Sequence, residues 1–178
     1  VFEAMAPFLA PDGAYGNPSS LHTLGQQAHA AMESSREKVA ALLGAADPGE
    51  IVFTSCGTEA DNMAVIGAAF AHRDKGRHLI TSSVEHHAVL HAFEYLEKEH
   101  GFQVTRLPVD RYGRVSPEDL RRALRPDTLL VSIMAANNEI GTLEPLMELG
   151  AICRSAGVLF HTDAVQSAGK VPLAMKDW

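Results

Sequence analysis

The chain has 178 residues, 46% of them hydrophobic and 21% charged, which is enough for one globular domain with a real core. Its net charge of -7 argues against non-specific nucleic-acid binding and favours a protein that handles a small molecule. Two cysteines make no disulfide framework, and no apolar run reaches transmembrane length, so we expect a cytoplasmic protein.

The first fifty residues have the pattern of helices separated by turns. Residues 1–9 have helical spacing of their apolar side chains. A long amphipathic helix then runs to about Leu43, with Ser19 or Ser20 as its N-cap and Gly44 as its stop.

From residue 51 onward, short apolar strands alternate with amphipathic helices. The predicted strands are Ile51–Thr54, His78–Thr81, Gln103–Leu107, Leu129–Met134 and Val158–Phe160. The Leu129–Met134 run suits a central strand that is buried on both faces. This alternation predicts an α/β fold, a three-layer sandwich with a mainly parallel, doubly wound sheet.

Polar residues follow four of these strands. The four clusters are Gly57/Thr58, Glu85/His86/His87, Asn137/Asn138 and His161/Asp163/Gln166. Because parallel strands place their carboxyl ends at one edge of the sheet, we expect the clusters to form a single site.

Two of these clusters carry specific chemical signals. A strand, a small polar turn at Gly57 and a helix offer free amides and a helix dipole to an anion, usually a phosphate. The alternative is a simple N-cap by Ser55 or Thr58. Asp163, at a strand end, needs a cation, hydrogen-bond donors or a protonated ring nitrogen as its partner, unless it caps the next helix.

A phosphate cradle, an imidazole, an amide and a buried carboxylate together suit a phosphorylated aromatic cofactor. The carboxylate keeps a ring nitrogen protonated, and the ring then acts as an electron sink. Pyridoxal 5'-phosphate has that shape and that need.

Five segments of the chain resemble the cysteine desulfurases, which are pyridoxal-phosphate enzymes of the class-V aminotransferase type. The segments are Gly16–His22, Phe53–Asp61, Val84–Leu90, Asn137–Gly141 and Phe160–Gln166. They are most similar to the nitrogenase-associated, NifS-type members. The resemblance implies the fold of type I pyridoxal-phosphate transferases, with an N-terminal helical segment at 1–15 and part of the large domain at 16–178.

The resemblance also implies a role for each matched residue. Thr58, with the amides of Gly57 and Thr58, holds the cofactor phosphate. His86 stacks on the pyridine ring and moves protons. Asp163 pairs with the ring nitrogen.

Two further residues contact the cofactor in this scheme. Gln166 bonds the phenolic oxygen of the ring, and Asn138 approaches that oxygen and the substrate carboxylate. The implied reaction converts L-cysteine to L-alanine and passes sulfur as an enzyme persulfide to an iron–sulfur scaffold protein. The resemblance implies a homodimer.

The chain departs from the family pattern because it lacks two reactive segments. The motif of the Schiff-base lysine and the loop of the persulfide cysteine are both absent, and Lys170 and Lys176 stand in other contexts. Cys56 and Cys153 are predicted to be small packing residues. We therefore expect a fragment, truncated at both ends, that is inactive alone.

Two alternatives stay open from the residues. One is a metal-dependent hydrolase, because His87 and His91 lie four residues apart on one helix face. Its candidate residues are Glu85, His86, His91, His161 and Asp163. The other is a non-catalytic fragment that binds an anion at the sheet edge.

Overall fold

The computed structural model describes residues 2–10, 13, 15–172 and 175, and it divides the chain into two compact units, Val1–Val52 and Phe53–Trp178. The helices are α1 (Phe2–Leu9), α2 (Thr23–Leu43), α3 (Gly57–Ala71), α4 (His87–His100), α5 (Pro117–Ala123) and α6 (Leu146–Ala156), with a 3-10 turn at Pro48–Glu50. The strands are β1 (His78–Ser82), β2 (Gln103–Leu107), β3 (Thr128–Ser132) and β4 (Leu159–His161).

The first unit is built around α2, whose ends are defined by local hydrogen bonds. Gly44 closes the helix in the left-handed conformation at φ 71°, which confirms the predicted stop. The predicted N-cap is wrong, because His22 takes that place and its Nδ1 accepts from the amide of Gly25 at 3.2 Å. Ser20 instead belongs to the preceding turn, where its amide donates to the Asn17 carbonyl.

The second unit contains a four-stranded, fully parallel sheet in the order β2-β1-β3-β4. Alternate residues of the central strands enter two separate cores. Leu79 and Leu130 pack with α3 and α4, whereas Ile80 and Val131 pack with α5 and α6. Helices therefore cover both faces, and the predicted three-layer α/β sandwich is confirmed.

The predicted strand at Ile51–Thr54 is wrong. These residues do not belong to any strand in the described chain. The side chains of Val52 and Phe53 are 62% and 47% exposed, which is unlike the buried strands of the sheet. A strand needs the hydrogen-bond ladder of an adjacent strand, and an apolar pattern alone does not supply it.

The ends of α5 and α6 are also defined by local chemistry. Ser116 caps α5 by accepting from the amide of Asp119, and Pro117 occupies the first helical turn. Gly157, at φ 68°, ends α6 and leads directly into β4. Within the described residues, none of the helices has the length and apolar character needed to cross a membrane.

Replacing Leu130 with Ala tests the packing between the sheet and α3/α4. Leu130 is 2% exposed, while its register neighbour Leu159 is 43% exposed. We expect Leu130→Ala to lower the free energy of unfolding by about 2 to 5 kcal/mol through cavity formation. Leu159→Ala should change it by about 0.5 kcal/mol or less. Urea denaturation measures both, and equal losses would contradict the burial assignment.

Candidate functional site

A cavity of about 230 Å³ lies at the carboxyl ends of β1, β3 and β4, beside the N-terminus of α3. It is smaller than the roughly 300 to 1,000 Å³ typical of pockets for drug-sized ligands. All six residues predicted to bind the cofactor line it: Gly57, Thr58, His86, Asn138, Asp163 and Gln166. The structure thus brings together residues from four separate segments of the chain.

The N-terminus of α3 gives the cavity an electropositive end. Its N-cap is Cys56, which makes no side-chain capping hydrogen bond, so the alternative of a simple N-cap by Ser55 or Thr58 does not hold. The amide of Glu59 and the hydroxyl of Ser55 lower the pKa of the exposed Cys56 thiol, with a smaller contribution from the Thr58 amide. This helix end therefore favours negative charge, as an anion site requires.

Gly57 lies where α3 meets the loop after β4, and its lack of a side chain allows a close approach there. A Cβ atom at position 57 would lie 2.7 Å from Cγ2 of Val165, which is closer than Cβ atoms approach their neighbours in real proteins. The close approach keeps the first turn of α3 next to the segment that carries Asp163. A glycine here thus joins the electropositive helix end and the acidic part of the site.

Asp163 is buried, at 8% exposure, and its position is fixed at two points. Its carbonyl accepts from the amide of Ala135 at 2.8 Å, which extends the pairing of β3 with β4 beyond the strands. Its Oδ1 accepts from the amide of Val165 at 2.9 Å. Within the described residues Oδ2 has no hydrogen-bond partner, so one carboxylate oxygen remains able to bind a cationic donor.

His86 is the N-cap of α4, and this role fixes its ring. Its Nδ1 accepts from the amide of Ala88 at 3.1 Å. In the neutral imidazole the proton therefore resides on Nε2. The side chain is exposed and lines the cavity, so Nε2 is the nitrogen available to exchange protons there.

Asn138 and Gln166 are exposed at the rim and have only local contacts. The Asn138 amide donates to Glu139 at 3.2 Å, and Gln166 Oε1 accepts from Nζ of Lys170 at 3.2 Å. Asn137 has a different task from its neighbour. It is buried, and its amide donates to the Val84 carbonyl at 3.1 Å, which ties the loops after β1 and β3 together.

The sequence interpretation missed Asp61, which also lines the cavity and is buried. Burial and, to a lesser extent, the Asp163 carboxylate raise the pKa of Asp61 to about 6, against an opposing effect of His86. Oδ1 of Asp61 lies 3.6 Å from Nε2 of His161. The sequence does contain one indication of this position, because Thr58 and Asp61 are three residues apart and therefore lie on one helix face.

Glu85 is a buried carboxyl that joins β1 to the end of β3. Its Oε1 accepts from the Ser82 hydroxyl at 2.7 Å and from the Met134 amide at 2.8 Å. Its Oε2 is buried and has no partner within the described chain. Burial raises the pKa of Glu85 to about 8, so this carboxyl carries a proton at neutral pH and supports the loop before His86.

The lysines and cysteines occupy the following places. Lys170 is exposed and is not among the residues that line the cavity, while Lys176 lies outside the described residues. Cys153 is fully buried on α6, as predicted for a packing residue. The same prediction is wrong for Cys56, because its N-cap position holds the thiol at the surface.

The histidines do not assemble a metal centre in the part of the chain that the structure describes. No group of three or more His, Cys, Asp or Glu side chains there could hold a metal ion. His87 and His91 stack with their ring centroids 5.3 Å apart on the surface of α4.

The cavity matches a ligand with charges of opposite sign at its two ends. The α3 N-terminus suits an anionic group, and the second carboxylate oxygen of Asp163 suits a protonated nitrogen. The small volume suits one substituted aromatic ring. On these grounds the residues present fit pyridoxal phosphate.

Comparisons with known proteins agree with this arrangement. The family model described as aminotransferase class-V matches residues 1–178. The cysteine desulfurase IscS of Methanosarcina thermophila is 54% identical over 176 residues, which are 99% of this chain and 43% of that protein. A solved NifS-like protein has a TM-score of 0.91 at 43% identity, covering 98% of this chain and 47% of its own.

A second solved structure, SspA in complex with cysteine, has a TM-score of 0.91 at 39% identity, covering 99% of this chain and 50% of its own. Both structures support the predicted fold class. The chain spans half or less of the length of the relatives it matches. The metal-dependent hydrolase finds no support among them.

The raised pKa of Glu85 predicts a pH-dependent stability. The folded state holds this proton up to about pH 8, whereas the unfolded state releases it near 4.5. The contribution of this proton to the free energy of unfolding is therefore complete below the unfolded pKa and is lost as pH rises through the folded pKa. Between the two pKa values the free energy of unfolding falls by about 1.4 kcal/mol for each pH unit. We expect Glu85→Gln to flatten the stability profile between pH 5 and 8, because the amide keeps a neutral side chain there.

Chemical denaturation across this pH range measures the effect. Glu94→Gln, at an exposed carboxylate of α4, is the matched control and should retain the slope of the parent protein. A Glu85→Gln variant with an unchanged slope would show that Glu85 is ionised in the folded state.

Proposed function

The chain belongs to the class-V aminotransferase family, whose members use pyridoxal phosphate, and we propose that it carries the cofactor-binding residues of a cysteine desulfurase. The observation that supports this most is the single cavity lined by the six residues matched to the family motifs. The named relatives are cysteine desulfurases or NifS-like proteins.

In this proposal the cofactor lies between α3 and the loop after β4. The amides of Gly57 and Thr58 and the Thr58 hydroxyl hold the phosphate at the helix N-terminus. The Asp163 carboxylate accepts a hydrogen bond from the protonated ring nitrogen and keeps it charged. When bound, pyridoxal phosphate supplies an electron sink for the carbon that bears the substrate amino group.

His86 moves protons in this proposal. Its Nδ1 is occupied by the Ala88 amide, so the imidazole gives and takes its proton at Nε2. Because the same hydrogen bond caps α4, the ring is anchored to a helix and keeps its orientation during turnover. His86 also covers one face of the cofactor ring.

The rim residues orient the ligand. The Gln166 carbonyl oxygen already accepts from Lys170, so its amide NH₂ is the group that donates to the phenolic oxygen of the cofactor. Asn138 donates to the substrate carboxylate and to the same phenolic oxygen. Both side chains are exposed, which lets them adjust when substrate enters.

We further propose L-cysteine as the substrate and L-alanine as the product. The structural neighbour solved in complex with cysteine supports this choice. Sulfur leaves as a persulfide on an enzyme cysteine and passes to an iron–sulfur scaffold protein. A cytoplasmic homodimer and a nitrogenase-associated, NifS-type role belong to the same proposal, on the resemblance of the segments around Gly57 and Asp163.

Asp163→Asn tests the proposed function in the protein as its cells produce it. The amide keeps the acceptor for Val165 but loses the charge that holds the ring nitrogen protonated. We expect alanine release from L-cysteine to fall by several orders of magnitude, while the fold and the thermal midpoint change little.

Alanine is measured by chromatography, and Asp127→Asn, a charge change outside the cavity, is the control. Near-normal alanine release from Asp163→Asn would refute the role of this carboxylate. A parent protein that binds pyridoxal phosphate but releases no alanine would keep the cofactor site and contradict the desulfurase activity.

His86→Asn separates the two tasks of this side chain. Asparagine is a good N-cap, so the start of α4 should be preserved while the imidazole is removed. We expect turnover to fall by about 10² to 10⁴, the range of general acid–base catalysis, with cofactor still bound. His87→Asn, at the neighbouring exposed histidine, should leave turnover unchanged. Equal activity in both variants would assign His86 to helix capping alone.

A further inference from the structure

A second carboxylate, Asp61, shares the cavity with Asp163. It projects from the second turn of α3, is 5% exposed and lines the cavity. A carboxylate that is buried this far is unfavourable unless a partner compensates its lost hydration. Three titratable groups from the elements around it face it: Asp163 after β4, His161 at the end of β4, and His86 at the start of α4.

The imidazole of His161 lies against Asp61, with Nε2 3.6 Å from Oδ1. Burial lowers the pKa of this imidazole to about 4, so the ring is neutral at physiological pH and has one N–H. The Ser132 hydroxyl lies 2.8 Å from Nδ1, and Ser132 and His161 are register partners in β3 and β4. Because a carboxylate only accepts hydrogen bonds, the proton of the ring is favoured on Nε2, facing Asp61 at 3.6 Å.

A buried chain of polar side chains therefore leads from the sheet to the cavity: Ser132, His161 and Asp61. Asp61 carries no catalytic hydrogen bond of its own in this arrangement. What it adds is a negative charge, at a fixed place, beside the carboxylate that faces the ligand. Two like charges held close together repel each other, and a cation placed against them relieves that repulsion.

We propose that Asp61, oriented by His161 and Ser132, is a positioning residue that reinforces Asp163, so that the cavity presents two negative charges to one cationic ring nitrogen. This inference rests on the proposed function. It extends that function from the single carboxylate at position 163 to a pair of carboxylates that act on the same atom of the ligand.

The test compares two ligands in the cofactor-free protein. One is pyridoxal phosphate, and the other is its analogue with a carbon atom in place of the ring nitrogen. We expect Asp61→Asn to lower the affinity for pyridoxal phosphate by about tenfold or more. The analogue has no ring nitrogen to protonate, so its affinity should be unchanged. Glu59→Gln removes the same charge from the same helix and should leave the ratio of the two affinities as in the parent protein.

The ratio of the affinity for pyridoxal phosphate to the affinity for the analogue, measured as a function of pH, gives a second readout. Because burial raises the pKa of Asp61 to about 6, its charge is present above that pH and is lost as pH falls through it. The difference in this affinity ratio between the parent protein and Asp61→Asn should therefore become smaller below about pH 6. Ser132→Ala removes the hydrogen bond to His161 with little change in volume, and it should lower the ratio in the same direction by a smaller factor.

The outcomes are distinct. Equal weakening of both ligands in Asp61→Asn, at every pH, overturns the inference, because Asp61 is then only structural. A parent protein that binds pyridoxal phosphate, with both affinities unchanged in Asp61→Asn, also overturns it and leaves the proposed function standing. A parent protein that binds neither ligand overturns the proposed function, and the inference fails with it.

Discussion

The position of Asp163 depends on the parallel pairing of β3 with β4. The ladder continues past the end of β3, where the amides of Ile133 and Ala135 donate to the carbonyls of His161 and Asp163. Loops after strands are usually free to move, but these hydrogen bonds hold the segment in register. The carboxylate therefore sits on a rigid element, as a group that must hold a cofactor nitrogen requires.

The cavity also depends on two regions of opposite electrostatic character that lie close together. The N-terminus of α3 favours anions, and the loop that carries Asp163 favours cations. Gly57 and Val165 bring the two together, because a Cβ atom at position 57 would lie 2.7 Å from Cγ2 of Val165. A ligand with a phosphate at one end and a protonated nitrogen at the other is complementary to both fields at once.

Sequence patterns predicted the elements that local chemistry decides. The stop of α2 at Gly44 depends on nearby residues, and the structure has it. The apolar run at Gln103–Leu107 forms a strand because β1 pairs with it. The strand at 51–54 depends on a neighbouring strand, which an apolar pattern does not reveal. Asp61 was missed for a related reason, since the burial of a helical carboxylate follows from the packing of α3 on the sheet.

A crystal structure of the protein with pyridoxal phosphate bound is the most direct test. The account predicts the phosphate at the amides of Gly57 and Thr58, and the ring nitrogen about 2.7 to 2.9 Å from a carboxylate oxygen of Asp163. It also predicts His86 against the face of the ring. A phosphate bound elsewhere, or a ring nitrogen turned away from Asp163, would contradict the account.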